Sequence, residues 1–413
     1  MQKEKFTAQH IIASSINNTI EWYDFSIYGY FAITMAALFF PTSTMETSLL
    51  IIFATFASGY LARPFGAIIF GHFSDKIGRK KILSWSIAMM AITSAFIAVL
   101  PTYESAGIYA GVLLLLFRIL GGLSMGGASS ASYVVEKVKK NRVLTLSFLI
   151  IGATVGFLLG SLVSIGLHYF LSEADLMLYG WRIAFFISLI LGILGIILRM
   201  KLPYLAPSTS PVKVPFLTLM KYHKRQILEN TGLNLVGAVL FYSLFIYVTS
   251  WLTQRMHLNA ASALDINLYA LIILGFSLAL GGYLGDRISK RYLAMAVFSS
   301  LIILVYPLFW LMGHHSYSLV FIGEATLALL LGLLFPAILM LQLENFPKKI
   351  RASGSALSYN ITWGVFGVTA PLVASWITLK THQDLVFTYY IIALAIISLI
   401  AVISMPEKHQ KHS

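Results

Sequence analysis

The feature that most constrains this chain is a series of twelve long apolar segments joined by short polar stretches. A helix that crosses a bilayer needs about 20 apolar residues, because about 30 Å of hydrocarbon is crossed at about 1.5 Å per residue. The segments are continuous apolar runs and not alternating stretches of about ten residues, so a transmembrane β-barrel is excluded. The predicted fold class is therefore an all-α polytopic membrane protein with twelve transmembrane helices. The segments span roughly residues 11–40, 48–72, 81–101, 106–133, 142–171, 180–200, 227–254, 264–284, 292–313, 317–342, 352–378 and 384–405.

Composition agrees with a chain that has little surface in water. Charged residues make up 11% of the 413 residues and the mean hydropathy is +0.82, whereas a soluble domain has about 25% charged residues. The net charge of +13 does not indicate a nucleic-acid binder, because the basic residues lie in short clusters between apolar segments. The chain has no cysteine, which excludes a disulfide framework and a thiolate metal site.

The distribution of basic residues predicts the topology. Most of the 29 Lys and Arg residues lie in the two tails and in the connections that share their side of the membrane. The connections on the opposite side contain only Arg182, Arg255 and Lys380. By the positive-inside rule, both termini are expected in the cytoplasm. The polar start of the chain is too short for a cleavable signal, so the first segment is expected to remain in the mature protein, in a bacterial inner membrane.

The chain also repeats itself. The sequence GHFSD at 71–75 recurs as GYLGD at 282–286, each time followed by basic residues. A Glu…Arg pair recurs at nearly the same offset, after the fourth and the tenth segments. These repeats predict two related six-helix halves, 1–200 and 227–413, joined by a basic, proline-spaced cytoplasmic linker at 201–226. Two six-helix halves related by an axis along the membrane normal are typical of major-facilitator-type transporters.

The repeated loop is a candidate gate. Its small residues let two helix ends approach closely, and Asp75 can accept hydrogen bonds from a helix N-terminus or pair with an arginine. A contact that forms in one state and breaks in the other would control access. The alternative is a solvated cytoplasmic turn, which the recurrence of the pattern disfavours. The predicted gating residues are Gly71, Asp75, Arg79, Glu136, Arg142, Asp286, Glu344 and Arg351.

The first half carries charged residues inside apolar segments. Glu21 and Asp24 share one helix face with Tyr28, and intramembrane carboxylates usually face a cavity. They are predicted to carry protons. Arg118 lies at about the depth of Asp24 and Arg63 at about the depth of Glu21, so the pairs Arg118–Asp24 and Arg63–Glu21 are predicted, with static ion pairs that lock the helices as the alternative.

The second half is poorer in charge. Glu324 is interpreted as its one clearly buried ionisable residue and as a further proton-coupling group. Aromatic and amide side chains are expected to face the substrate, and Tyr247 and Trp251, one helical turn apart, could hold a quaternary ammonium group. Interfacial aromatics without a binding role are the alternative. The predicted substrate-binding residues of both halves are Tyr28, Arg63, Arg118, Ser129, Asn234, Tyr242, Tyr247, Trp251, Asn360 and Trp363.

Several long motifs carry a family resemblance. EWYDFSIYG (21–29), LARPFGAIIFGHFSDKIGRKK (61–81) and ENFPKKIRASGSALSYN (344–360) resemble the metabolite:H⁺ symporter family of the major facilitator superfamily. That family includes the proline/betaine transporter and permeases for citrate, α-ketoglutarate, shikimate and phthalate. The resemblance implies proton-coupled import of a small organic acid or zwitterion, with Glu21, Asp24, Arg63 and Arg118 as coupling and binding positions.

The chain departs from that family in two places. Ala128, Ser129 and Ser130 stand where the family usually has a glutamate after the glycines of the fourth segment. Without that negative charge Arg118 is freer to bind an anion, which favours a carboxylate substrate. The chain also ends soon after the last segment, so the C-terminal coiled coil of some osmosensing relatives is not expected.

The leading hypothesis is a proton symporter that needs no cofactor and acts as a monomer on a small molecule. A proton-driven exporter and a non-transporting membrane sensor remain alternatives. A membrane enzyme is not supported, because no nucleophile or metal constellation is present. The N-terminal half's G-x-S-x-G match lies inside an apolar segment and lacks the strand–turn–helix that such a nucleophile needs.

Overall fold

The computed structural model of the chain is mostly helical over the residues that it describes, which are 8–66, 69, 79–124, 138, 140–201, 219, 221–314, 316–347 and 350–406. Within them, the helices form twelve segments in the predicted order. They are α1 (Ala8–Tyr30, continued by Ala32–Phe39), α2 (Met45–Leu61), α3 (Arg79–Ala98), α4 (Ile108–Ser124), α5 (Arg142–Phe170), α6 (Trp181–Lys201), α7 (Lys224–Tyr242, Ser243–Tyr247 and Val248–Gln254), α8 (Ala260–Arg287), α9 (Lys290–Met312), α10 (Tyr317–Asn345), α11 (Arg351–Ile361, Thr362–Gly367 and Ala370–Thr381) and α12 (Val386–Ser404).

The predicted fold class is confirmed. In the described part of the chain, nine helices are long and apolar enough to cross a membrane, and Ser84–Ala98 and Ile108–Ser124 supply shorter apolar helices. The remaining segment, α1, is interrupted at Phe31, where one residue leaves the helical conformation between two apolar stretches. The apolar runs in the sequence therefore predict the number and order of the helices correctly.

The two halves repeat one packing pattern. In the first half α1 packs on α5, α2 on α4, and α3 on α6; in the second half α7 packs on α11, α8 on α10, and α9 on α12. A shift of six helices converts one set into the other, as expected for a duplicated bundle. The halves meet mainly where α5 packs on α8 and where α2 packs on α11. The division at 201–226 stays a prediction, since most of that linker lies outside the described residues.

The hydrophobic core is continuous across the junction of the halves. Trp22 of α1 lies 5.9 Å from Phe241 of α7, and Phe157 of α5 lies 5.0 Å from the same ring, measured between ring centroids. The apolar stretch of α7 is buried along its full length. The middle of the molecule is therefore an aromatic layer to which both halves contribute.

Two helices of the second half contain a wider, π-helical turn. It covers Ser243–Tyr247 in α7 and Thr362–Gly367 in α11. Such turns are rare and are often found at functional sites. Both lie beside the aromatic layer, and each changes the direction of the side chains that follow it relative to a regular α-helix.

A close helix crossing fixes the position of Arg118. At Gly122 of α4, an added Cβ would collide with the backbone oxygen of Gly59 of α2, and at Gly59 it would lie 2.8 Å from the backbone oxygen of Arg118. Only glycine allows the two backbones this near to one another. The crossing holds Arg118 at a fixed depth beside α2.

Candidate functional site

The first predicted ion pair lies between the halves. Arg63 Nη2 is 2.5 Å from Glu21 Oε1, and both side chains are nearly buried. The guanidinium lies 4.5 Å from the centre of the Tyr60 ring. The Tyr60 ring in turn neighbours the ring of Tyr242, which belongs to the second half. This pair therefore has the first half on one side and the second half on the other.

The second predicted ion pair lies within the first half. Arg118 Nη1 donates to Asp24 Oδ2 at 3.2 Å, and both side chains are 4% exposed. Ser188 donates to Asp24 Oδ1 at 3.1 Å, and Ser94 donates to the same oxygen. The Arg118 guanidinium also lies 4.3 Å from the centre of the Tyr28 ring. Both oxygens of Asp24 are thus bound by groups from α3, α4 and α6.

Aromatic rings from both halves surround the first pair. Tyr60 lies 6.2 Å from Tyr242, and Trp22 lies 6.3 Å from Trp363. Tyr359 stacks on Trp363 at 5.5 Å. We refer to these five rings as the aromatic cluster. A cluster of π-faces beside a guanidinium can receive a solute that has both a cationic and a carboxylate group.

The two aromatic residues expected to act together in α7 pack on neighbouring phenylalanines. The Tyr247 ring packs on Phe387, and its hydroxyl shares a hydrogen bond of 3.1 Å with Thr378. The Trp251 ring packs on Phe309. Phe387 and Phe309 are themselves only 5.0 Å apart, so a joint role of Tyr247 and Trp251 around one ligand stays a prediction.

The predicted amide residues take up two different environments. Asn234 of α7 is buried and donates to the Gln342 side chain of α10 at 3.1 Å. Asn360 of α11 is half-buried and donates to the backbone oxygen of Ala356, one turn earlier on its own helix. Asn234 therefore joins two helices of the second half, whereas Asn360 bonds locally.

Glu324 of α10 is fully buried and contacts a polar pair. Asn267 of α8 donates to Glu324 Oε1 at 3.1 Å, and Tyr30 of α1 donates to Asn267 Oδ1 at 2.8 Å. The interpretation of Glu324 as the one buried ionisable residue of the second half is wrong, because Glu229 and Lys290 are each 7% exposed. These two lie near helix ends, where sequence position alone suggested solvent contact.

Asp286, one of the predicted gating residues, links the two halves. Its two carboxylate oxygens accept hydrogen bonds from the backbone N–H groups of Val143 and Leu144, at 3.0 and 2.9 Å. These groups lie at the N-terminus of α5, where a negative charge is favoured. A residue of the second half thus binds a helix end of the first half.

The other predicted gating residues that the structure describes contact their own half or begin a helix. Arg142 donates to the backbone oxygen of Val138 at 2.7 Å, and Glu344 lies 3.6 Å from Lys290 within the second half. Arg351 is the first residue of α11 and is half-buried. Arg79 begins α3, but its side chain is not described. The predictions for Gly71, Asp75, Ser129 and Glu136 fall outside the described residues.

Sequence reasoning missed several polar partners. Ser94 and Ser188 are single hydroxyls in apolar segments, a pattern too common in membrane helices to single them out. Asn267 did carry a signal, because a side-chain amide inside an apolar segment needs a partner. Tyr30 belongs to the aromatic-rich first segment, where one phenol cannot be distinguished from its neighbours by sequence alone.

Comparisons with known proteins agree with this architecture. The sequence model of the Major Facilitator Superfamily matches residues 20–371. The chain is 33% identical over 416 residues to the proline/betaine transporter of Salmonella typhimurium, covering 96% of this chain and 83% of that protein. It is 32% identical over 419 residues to the ectoine/proline transporter ProP of Corynebacterium glutamicum, with 96% and 83% covered. The structure of a D-xylose-proton symporter superposes with a TM-score of 0.75 at 17% identity, covering 96% of both chains, which shows the shared fold.

The fold and the comparisons define a multi-pass membrane transporter and not an enzyme. The chain belongs to the major facilitator superfamily, and the relatives named above place it beside the proline/betaine transporters of that superfamily.

Proposed function

We propose that this protein is a proton-coupled symporter that imports a small zwitterion, an amino acid or a betaine, across a bacterial inner membrane. The names of its relatives, which transport proline, betaine and ectoine, support this substrate class. The basic residues support a cytoplasmic location for both termini. The proton gradient supplies the energy, and no cofactor is part of the proposal.

One observation carries the proposal: the Glu21–Arg63 pair lies beside Tyr60, whose ring borders Tyr242 of the other half. In an alternating-access transporter of this fold, substrate binds near the midplane between the halves. An arginine fork binds a carboxylate through two parallel hydrogen bonds. A substrate carboxylate can therefore compete with Glu21 for Arg63, while its cationic group faces the aromatic cluster.

Competition for Arg63 links the substrate to a proton. When the substrate takes the guanidinium, Glu21 loses its cationic partner in a nearly buried position. A lone buried carboxylate is costly, and proton binding removes its charge. Substrate binding and protonation of Glu21 thus favour each other, which is the thermodynamic requirement for symport.

Asp24 stays a second candidate for proton coupling, with a more structural role. Its oxygens bind Arg118, Ser94 and Ser188, all within the first half. We propose that this network mainly keeps α1, α3, α4 and α6 together as a rigid unit. Arg118 lies 4.3 Å from Tyr28 and so connects the network to the face of α1 that also bears Glu21.

The available driving force is sufficient. A zwitterion that enters with one proton moves one net positive charge, which yields about 2.3 kcal/mol per 100 mV of membrane potential. Since about 1.4 kcal/mol corresponds to a tenfold ratio, this term alone supports accumulation of tens-fold.

The test is uptake of radiolabelled proline and glycine betaine by purified protein in liposomes. We expect uptake when the outside is made acidic and loss of uptake on addition of a protonophore. Arg63→Met should abolish uptake. Asp265→Asn is the control and should leave uptake intact, because Asp265 is a half-buried carboxylate outside the aromatic cluster. Flux driven only by the opposite pH gradient would indicate a proton-driven exporter. Absence of flux with bound ligand would indicate a sensor.

A further inference from the structure

A three-residue chain of hydrogen bonds crosses between the halves, about two helical turns along α1 from Trp22 of the aromatic cluster. Tyr30 of α1 donates to Asn267 Oδ1 at 2.8 Å, and Asn267 of α8 donates through Nδ2 to Glu324 Oε1 of α10 at 3.1 Å. The exposed fractions of the three residues are 6%, 0% and 0%. We refer to Tyr30, Asn267 and Glu324 as the bridge. It joins the first half to the second through side chains alone.

The described neighbours of Glu324 are neutral groups of α8, α1 and α9. Within the described part of the chain, Glu324 takes part in no ion pair, and its Oε2 atom has no hydrogen-bond partner. From α8 it faces the neutral Asn267 amide, and from α1 the phenol of Tyr30 is the titratable group in range. From α9, Leu308 and Met312 pack against the neighbouring Gly323.

The bridge lies toward the end of the molecule opposite to Asp286. Asn267 is two turns from the start of α8 at Ala260, whereas Asp286 is next to its last residue. Glu324 is likewise two turns from the start of α10 at Tyr317. With the topology proposed above, the bridge closes the extracellular side and the Asp286 contact closes the cytoplasmic side.

We propose that Asn267 is a positioning residue that makes closure of the extracellular side dependent on protonation of Glu324. This proposal deepens the proposed symport and rests on it for its biological meaning. With the extracellular side open, Glu324 meets water and can be ionised. It takes one proton from extracellular water, becomes a neutral carboxylic acid, and can then be buried against Asn267.

The direction of the coupling follows from the contacts. Burying an ionised carboxylate without a cation costs several kcal/mol. Burying the neutral acid leaves at most one unpaired donor, which costs about 1–3 kcal/mol. The closed state therefore holds one proton more than the open state, so by linkage the closed fraction falls as the pH rises. The Tyr30–Asn267 bond then holds the first half against the protonated second half.

The test uses a single cysteine in a chain that has none of its own. Ala263 lies one turn outward from Asn267 on α8 and is fully buried here. In Ala263→Cys, we measure the rate of labelling by a membrane-impermeant maleimide from the extracellular side, without substrate, from acidic to alkaline pH. Maleimide reacts with the thiolate form of cysteine, so each labelling rate is first divided by the fraction of the thiol that is ionised at that pH. The corrected rate should rise by at most about tenfold per pH unit, as expected for the release of one proton.

Three variants distinguish a coupling role from simple packing. Glu324→Gln should label slowly at every pH, because a neutral amide needs no proton to be buried. Tyr30→Phe should label faster at acidic pH and keep the pH dependence, because it loses only the bond between halves. Asn267→Leu should label faster too, and its combination with Tyr30→Phe should add nothing, because both remove the same bond. The control is Asp265→Asn, which removes another carboxylate near the start of α8. It should label at the same rate as the parent at every pH.

Two results would overturn the proposal. One is a Glu324→Gln variant with the same pH profile as Ala263→Cys alone, and the other is a Tyr30→Phe variant with the same labelling rate as Ala263→Cys alone. If Asn267→Leu does not fold, Tyr30→Phe still decides the question, since it lacks a single oxygen atom. The labelling needs no substrate, so its failure is separate from failure of the uptake assay. A normal pH-dependent labelling profile without any solute uptake would support the bridge and refute the proposed import.

Discussion

At the scale of single residues, the two buried ion pairs of the first half have different surroundings. Asp24 and Arg118 are each 4% exposed and are enclosed by one half, whereas Glu21 and Arg63 are 11% and 12% exposed and face the other half. Removing one partner of a fully buried pair costs about 3–5 kcal/mol, because the remaining charge has no counterion. The Glu21–Arg63 pair is therefore suited to exchange partners, and the Asp24–Arg118 pair is suited to hold helices together.

Asp24→Asn should destabilise the protein by about 3–5 kcal/mol, since Arg118 keeps its charge in a buried position. Glu21→Gln should cost clearly less, because Arg63 is more exposed and lies over the Tyr60 ring. Unfolding in detergent, followed by temperature or denaturant, measures both. The control is the double variant Asp24→Leu/Arg118→Met, which should regain most of the lost stability. Asp24→Asn as stable as the parent would contradict the structural role of this pair.

Exchanging the charges of the Glu21–Arg63 pair tests whether contact between these two side chains matters for transport. Glu21→Arg and Arg63→Glu each place two like charges side by side in a nearly buried position and should abolish uptake. The double variant Glu21→Arg/Arg63→Glu restores opposite charges and should recover part of the activity. The measurement is initial uptake in liposomes at equal protein content. A double variant no better than its singles would show that the contact has no role in transport.

The aromatic cluster predicts a preference for cationic solutes. A quaternary ammonium over a tryptophan or tyrosine face gains about 0.5–2 kcal/mol, which corresponds to roughly 2–30-fold in affinity. Trp363→Leu should raise the KM for glycine betaine within that range, and Trp363→Phe should raise it less. The control is Trp376→Leu, because Trp376 is exposed on the outside of α11. Equal effects at Trp363 and Trp376 would argue against a ligand at the cluster.

At the scale of elements, apolar runs and charge clusters predicted all twelve helices, because membrane-crossing length is a strong constraint. Depth along each segment also predicted both ion pairs of the first half correctly. The π-helical turn at Ser243–Tyr247 was not predictable, since it depends on packing between helices. Polar partners such as Ser94 were not predictable either, because they depend on how α1 and α3 dock.

The crossing of α2 and α4 gives the sharpest test of helix packing. Gly122→Ala would push a methyl group into the backbone oxygen of Gly59, and backbone cannot move aside cheaply. We expect loss of the folded protein or a marked fall in melting temperature. Gly275→Ala on α8 is the matched control, because an added Cβ there meets nothing within 4 Å. It should be neutral or stabilise the helix by up to about 1 kcal/mol. Similar stability for the two variants would refute the close crossing.

At the scale of the whole molecule, contacts between the halves lie near both ends of the described helices. Asp286 binds the N-terminus of α5 at one end, and the bridge joins α1 to α8 near the other. Alternating access requires one of these closures to open while the other persists. Their chemistry differs, because Asp286 accepts from backbone amides whereas the bridge contains a carboxyl group in an uncharged environment. We therefore expect protons to act on the extracellular closure and not on the cytoplasmic one.

Asp286→Ala should shift the molecule toward the state that is open to the cytoplasm. The variant loses two hydrogen bonds from the N-terminus of α5 to a charged acceptor, each worth about 1.5–3 kcal/mol. Ser147→Cys reports the change, because Ser147 is fully buried and borders Gly282 where α5 meets α8. A maleimide that enters from the cytoplasmic side of inverted vesicles should label it at least about tenfold faster in Asp286→Ala. Asp286→Asn keeps one acceptor oxygen, so its labelling rate should lie between those of the parent and of Asp286→Ala. The same rate in all three proteins would mean that Asp286 caps α5 without holding the halves together.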